Sequence, residues 1–297
     1  MTKFNYTRIV SYGCSFTAGS ELTDHDIIGI TEEELLETIK KQKFIGSREV
    51  YDYYKINYDT RKKILESNRS KSWPNYIANY YGIPLVNRAR PGTSLSHATY
   101  SLLRDIHKKE IRPTDLILIG ITSPNRWFQF TEKGETFYGV FNRGWTFLRH
   151  PLASEKYREE LEKNWYNLYN IIYTHYKEMQ FLSNLSNNMS KQIKLCYAIG
   201  SSSFIKFLFP KELPTSLLQQ LFPTLQNTEQ QSKDSEFFDF CQSLVSHENF
   251  LAPDISLGEI TPRNEFVNHH AFGHPRVEYH KQYANILIEE LEKMYND

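Results

Sequence analysis

The chain has 297 residues, with 35 Lys+Arg against 35 Asp+Glu and therefore no formal net charge. That balance argues against wholesale nucleic-acid binding, which calls for a basic excess or stripe. The longest apolar runs, such as Leu116 to Ile121, fall far short of a membrane span. Cys14, Cys196 and Cys241 are odd in number and widely spaced, so neither a disulfide framework nor a zinc ribbon is implied. With no leader-like pattern at the start, a cytoplasmic protein without a cofactor is expected.

In chain order, Arg8–Tyr12 predicts a first β-strand that runs into Gly13-Cys14-Ser15-Phe16-Thr17-Ala18-Gly19. Glycines on both sides let the backbone turn sharply and leave room for another molecule. Ser15 then stands at the carboxyl end of a strand, where open α/β sheets bind ligands. A serine hydroxyl there is a candidate nucleophile that needs a base; the alternative is a turn serine capping the next helix. The loop lacks the lysine of phosphate-binding loops, which disfavours a nucleotide site. Cys14 reads as a small buried residue.

Residues 24–71 are rich in charge and read as a partly helical insertion. Trp73, Tyr76, Ile77, Tyr80 and Tyr81 have helical spacing, and Gly82 is the expected stop. Ile83–Asn87 predicts a short buried strand. Leu95–Ile106 predicts a helix capped by Thr93 or Ser94, with its positive end beside Gly92. Asp115–Ile121, apolar almost throughout, predicts a central strand of a parallel sheet. Residues 126–153 are aromatic and Gly-punctuated, suited to loop and core packing or, alternatively, to a substrate wall. A helix over about Glu155–Leu185, a strand at Ile193–Ile199 and an irregular, proline-rich stretch over 200–265 follow. Tyr283–Met294 predicts the last helix. This βαβα alternation predicts a three-layer α/β/α sandwich, flavodoxin-like, with a mostly parallel sheet of about five strands. We expect one domain over residues 1–297, with insertions at about 24–71, 126–153 and 200–265.

Ahead of the last helix lies Phe272-Gly273-His274-Pro275, a loop that would fix His274 above the sheet, where it could act as base to Ser15. His269, His270, His274 and His280 also invite a metal reading. Gly273 and Pro275 disfavour the helix that a four-residue His spacing would need, so no metal is expected. His280 reads as packing or capping the final helix.

Four blocks resemble those of the SGNH (GDSL-type) hydrolases, a family of serine esterases and acyl hydrolases. They are Gly13–Gly19, Asn87–Ser94, Leu116–Asn125 and His274-Pro275. The resemblance implies Ser15 as nucleophile, His274 as catalytic base and the Gly92 N–H as an oxyanion donor. It departs from the family in three places. Cys14 stands where aspartate is usual, and Thr122 stands where the oxyanion asparagine is usual, with Asn125 three residues further on. Ala271 occupies the position of the supporting aspartate. The oxyanion donor is therefore Asn125 or Thr122. His274 is oriented either by a backbone carbonyl, as a Ser–His dyad, or by an acid such as Asp254 or Glu265. The expected activity is hydrolysis of a small-molecule or glycan ester, such as an O-acetyl group. The alternative is a binding protein on the same fold that has lost catalysis. No nucleic-acid or membrane partner is expected.

Overall fold

The computed structural model describes residues 4–20, 22–42, 47–122, 126–130, 136–140, 168–198, 240–241, 243–245, 247–262 and 274–296. In chain order the elements begin with β1 (Arg8–Tyr12), α1 (Ser15–Ala18), α2 (Asp24–Ile28), α3 (Glu32–Gln42), α4 (Ser47–Tyr53), α5 (Tyr58–Ser70) and α6 (Trp73–Tyr81). They continue with β2 (Leu85–Asn87), α7 (Leu95–His107), β3 (Asp115–Ile121), β4 (Arg126–Phe130), β5 (Thr136–Val140), α8 (Leu168–Asn188) and β6 (Ile193–Tyr197). The last are α9 (Leu257–Ile260) and α10 (Val277–Asn296).

Four strands form a parallel sheet in the order β2-β1-β3-β6. The chain leaves β1 to build β2 on one side and returns to build β3 on the other. The boundary between β1 and β3 is therefore the topological switch point, where crevices open above the carboxyl ends of the strands. The alternation of β3 assigns its two faces. Ile117, Ile119 and Ile121 pack with Leu95, Ala98 and Leu102 of α7 and with Met179 and Leu182 of α8. Leu116 and Leu118 pack with Trp73 and Ile77 of α6 and with Tyr283, Leu287 and Leu291 of α10. This is the expected three-layer sandwich.

Among the described residues the sheet has four strands rather than about five, and the chain itself shows why. Residues 250–256 run parallel to β6 but meet it only at the bridges Leu195–Phe250 and Tyr197–Ser256. Between those bridges Ala252 is left-handed (φ 46°) and Pro253 has no N–H, so no continuous ladder can form. A second difference is β2. It starts at Leu85 and is half-buried rather than buried, because it is the edge strand and covers one side only.

Where the periodicity was strong, the elements fall as expected. Gly82 ends α6 in the left-handed conformation (φ 64°), and Ser94 caps α7 by accepting from the His97 N–H at 3.2 Å. The 24–71 insertion contains α2 to α5. They close over a buried Asp24, which accepts from Tyr51 Oη (2.7 Å) and Asn68 Nδ2 (2.6 Å). Within 126–153 the described residues form the antiparallel pair β4–β5. The described part of the long helix starts at Leu168, and residues 155–167 lie outside the described set. No helix among the described residues is long and apolar enough to cross a membrane.

The final helix is pinned at both sheet and helix. Tyr283 Oη donates to the Tyr197 carbonyl at 2.7 Å, and His280 Nδ1 accepts from the Trp73 N–H at 3.1 Å. His280 therefore caps α6, whereas the sequence had suggested that it packs or caps its own helix. An unsatisfied buried N–H costs about 1–3 kcal/mol. His280→Leu, which fills the space without an acceptor, should lower stability by about that much. Urea unfolding checks this, and an unchanged midpoint would remove the capping role.

Candidate active site

Ser15 is the first residue of α1, directly after the turn at Gly13 (φ 148°). The Cys14 carbonyl accepts from the N–H groups of Thr17 and Ala18, and left-handed Gly19 (φ 70°) ends the turn. Ser15 is 3% exposed, and its hydroxyl makes no hydrogen bond among the described residues. Cys14 beside it is fully buried. The turn can sit this close to the sheet because two glycines receive Thr17. A Cβ on Gly120 of β3 would fall 1.9 Å from Thr17 Oγ1, and one on Gly13 would fall 2.4 Å from it.

The loop between β2 and α7 is tied to this turn. The Arg88 N–H donates to the Ser11 carbonyl (2.8 Å), and the Arg90 N–H to the Gly13 carbonyl (3.0 Å). Thr93 Oγ1 donates to the carbonyls of Gly13 (3.0 Å) and Arg90 (2.8 Å). Asn87 Nδ2 donates to the Thr17 carbonyl (3.1 Å), and Asn87 Oδ1 accepts from the Ala89 N–H (3.0 Å). Gly92 lies inside this loop in a left-handed conformation (φ 77°). One turn along α7, burial and then Arg90 and Arg104 push His97 down to about 4, so it is neutral near pH 7.

His274 reaches the same turn from the other end of the chain. Its ring lies 5.3 Å from that of Phe16, the residue after Ser15, with the planes inclined at 54°. The half-buried His274 is followed by a buried Pro275, and the helix starts at Val277. No hydrogen bond joins Ser15 to His274 among the described contacts; catalytic hydrogen bonds often tighten only with substrate in place.

Thr122 lies at the carboxyl end of β3, 1% exposed, with a hydroxyl that has no partner among the described residues. Asn125, Glu265, Ala271, His269 and His270 lie outside the described residues. Asp254 is exposed in the turn before Ser256, at the carboxyl end of β6, where its charge helps raise the buried Tyr197 phenol. Ser15, Gly92, Thr122, Asp254 and His274 thus share the carboxyl side of the sheet, with Ser15 at the switch point.

Burial pushes the Cys196 thiol well up and the Cys241 thiol to about 11. Among the described residues no three metal-ligating side chains converge. Asn87, Thr93 and Thr17 tie the loop to the turn, a role that sequence reasoning had not given them; Thr93 stood there only as a possible cap of α7. Their partners include backbone carbonyls and glycines on other segments, which leave no mark on local periodicity.

The class these features define is an α/β/α sandwich with a serine turn at its switch point and a histidine ahead of its last helix. No family model and no curated protein sequence matches the chain. Solved structures similar to it include a G-D-S-L family lipolytic protein from Desulfitobacterium hafniense. That protein is 9% identical at a TM-score of 0.40, covering 96% of this chain and 99% of its own. The psychrotrophic esterase EstA from Pseudoalteromonas sp. is 10% identical at 0.39, covering 98% and 100%. A carbohydrate esterase is 12% identical at 0.44, covering 99% of this chain and 70% of its own. These are distant likenesses of layout and say nothing of the reaction.

Proposed function

We propose that this protein is a serine ester hydrolase in which Ser15 attacks and His274 takes its proton. The observation that carries the reading is the contact between the His274 and Phe16 rings. It brings a histidine from the end of the chain to the turn that holds Ser15, above the switch point of the sheet. A hydroxyl so placed, uncommitted to any described partner, needs only a neighbouring base to become a nucleophile.

In the proposed reaction Ser15 Oγ bonds to the acyl carbon as its proton passes to His274. The N–H groups of Ser15 and Gly92, with Thr122 or Asn125, hold the resulting oxyanion. The tetrahedral adduct collapses, and the alcohol leaves with the proton from His274. Water, deprotonated by the same histidine, then releases the acid and restores Ser15. The substrates in view are esters of small molecules or glycans, an O-acetyl group among them. Orientation of His274 falls to a backbone carbonyl or to Asp254 or Glu265.

A fluorophosphonate probe tests this directly. It should form one covalent adduct, on Ser15 by peptide mapping, which Ser15→Ala eliminates. Protein that stays unlabelled would favour the second reading, a binding protein with an inert serine. The missing hydrogen bond between Ser15 and His274 is the feature that keeps that reading alive.

A further inference from the structure

Two arginines flank the serine turn with no described carboxylate within ion-pair distance. The Arg90 backbone N–H bonds the Gly13 carbonyl, two residues before Ser15. Arg69, in the last turn of α5, lies at the other end of α1. Its neighbour Asn68 packs so tightly on Gly19 that a Cβ there would meet the Asn68 carbonyl oxygen at 2.6 Å. The Arg69 carbonyl accepts from Ser72 Oγ (2.6 Å), which in turn lies 3.4 Å from Asn87 Nδ2.

Neighbouring arginines are neutralised, and these two are not. Arg88 pairs with Glu110 (2.7 Å) and Asp105 (3.4 Å), and Arg104 pairs with Asp105 (2.9 Å). No described carboxylate lies within ion-pair distance of Arg69 or Arg90. The acid whose charge reaches Arg69 is Glu66, which stands 4.0 Å from Lys62. Arg69 Nε is shut off from solvent and has no hydrogen-bond partner among the described residues. Burial and then the charge of Arg90 both make the Arg69 cation less favourable. Arg90 itself is exposed, and its charge also reaches His97. Two cations on segments fastened to the same turn, neither within ion-pair distance of a described carboxylate, are an arrangement that a bound anion would relieve. The guanidinium fork suits carboxylate and phosphate oxygens, which it can bind in pairs.

We propose that Arg69 and Arg90 form an anion subsite beside Ser15, so that the ester taken by this protein carries a carboxylate or a phosphate group. The inference rests on the hydrolase reading for the ester and on the arginines alone for the charge. The anion would dock at the α5 side of the turn while the acyl carbon faces Ser15. Among small-molecule and glycan esters, this selects the acidic ones.

The test compares three acetyl esters: neutral methyl 4-acetoxybenzoate, anionic 4-acetoxybenzoate and anionic 4-acetoxyphenyl phosphate. At low salt at least one anion should exceed the neutral ester in kcat/KM by about tenfold or more, mainly through KM. Salt should erode this preference. Arg90→Gln should reduce it about tenfold, and Arg90→Lys should keep part of it. The better of the two anions identifies the group as carboxylate or phosphate. Calorimetric binding of the same anions to Ser15→Ala protein, weakened by adding Arg90→Gln, reads the subsite without turnover. Equal binding of charged and neutral esters, or binding indifferent to Arg90→Gln, would overturn the subsite. Hydrolysis that Ser15→Ala leaves intact would overturn the hydrolase reading instead, so the two failures are distinct.

Discussion

Ser15→Ala is expected to lower kcat/KM for p-nitrophenyl acetate about a thousandfold or more, and His274→Ala about a hundredfold to ten-thousandfold. The double variant should be no slower than Ser15→Ala alone, because a base with no nucleophile to serve contributes nothing. The geometry behind this expectation is local. Ser15 is held by a turn whose Gly13 carbonyl accepts from both Arg90 N–H and Thr93 Oγ1, so little freedom is left for the backbone. His274 is held against Phe16 by the start of a helix that is itself fastened to Trp73 and Tyr197. The pH profile supplies an independent reading. A general base must be unprotonated, so wild-type kcat/KM should fall on the acid side, and that limb should flatten in His274→Ala. Its size would also bear on the missing aspartate. If Asp254 supports the histidine, Asp254→Asn should lower the rate, whereas a dyad held by a backbone carbonyl would be indifferent to it. Equal residual rates in wild type and both single variants would end the proposed mechanism.

How much of this was legible in the sequence depends on whether a residue's role is local. The run Asp115–Ile121 matched β3 to the residue, because a strand buried on both faces is apolar almost throughout and Asp115 stands only at its start. The Trp73–Tyr81 helix and its Gly82 stop were equally readable, since both periodicity and cap lie within one segment. The edge position of β2 was not, because an apolar stretch looks the same beside one neighbour as between two. The fifth strand of the expected sheet had no residues assigned to it. Residues 250–256, within the stretch read as irregular, meet β6 only at two bridges, because one left-handed alanine and one proline stand against it. His280 looked like a residue of its own helix because its partner, the Trp73 N–H, lies on another element. The candidates Ser15, Gly92 and His274 were named from their blocks, whereas Arg69 and Arg90 could not be recognised as neighbours of the same turn. What marks them is that no described carboxylate lies within ion-pair distance of either, and that shows only once α5 and the β2–α7 loop are both fastened to the serine turn.

The glycine of the third block shows the same dependence, and it yields the largest stability effect expected here. Gly120→Ala should destabilise the fold by about 2–3 kcal/mol through overpacking. Its Cβ would lie 1.9 Å from Thr17 Oγ1 and 3.2 Å from Thr17 Cβ. Rotating Thr17 about its Cα–Cβ bond relieves only the first contact, and the methyl that takes the place of the hydroxyl is no smaller. The gain in stability from restricting an unfolded glycine, about 0.4–1 kcal/mol, does not offset this. Thr17→Ala should be mild by comparison. It loses a methyl, worth about 0.8 kcal/mol, but also removes a buried hydroxyl that has no partner among the described residues. In the double variant the hydroxyl clash is gone and a tight but tolerable Cβ contact remains. The two substitutions should therefore couple favourably by about 1 kcal/mol or more. Because Thr17 is two residues from Ser15, Gly120→Ala should also displace the nucleophile and lower ester turnover, with Thr17→Ala restoring part of both losses. Urea midpoints and kcat/KM for the four proteins decide the matter. Purely additive effects would mean that the serine turn does not rest on β3 in the way the two glycines indicate.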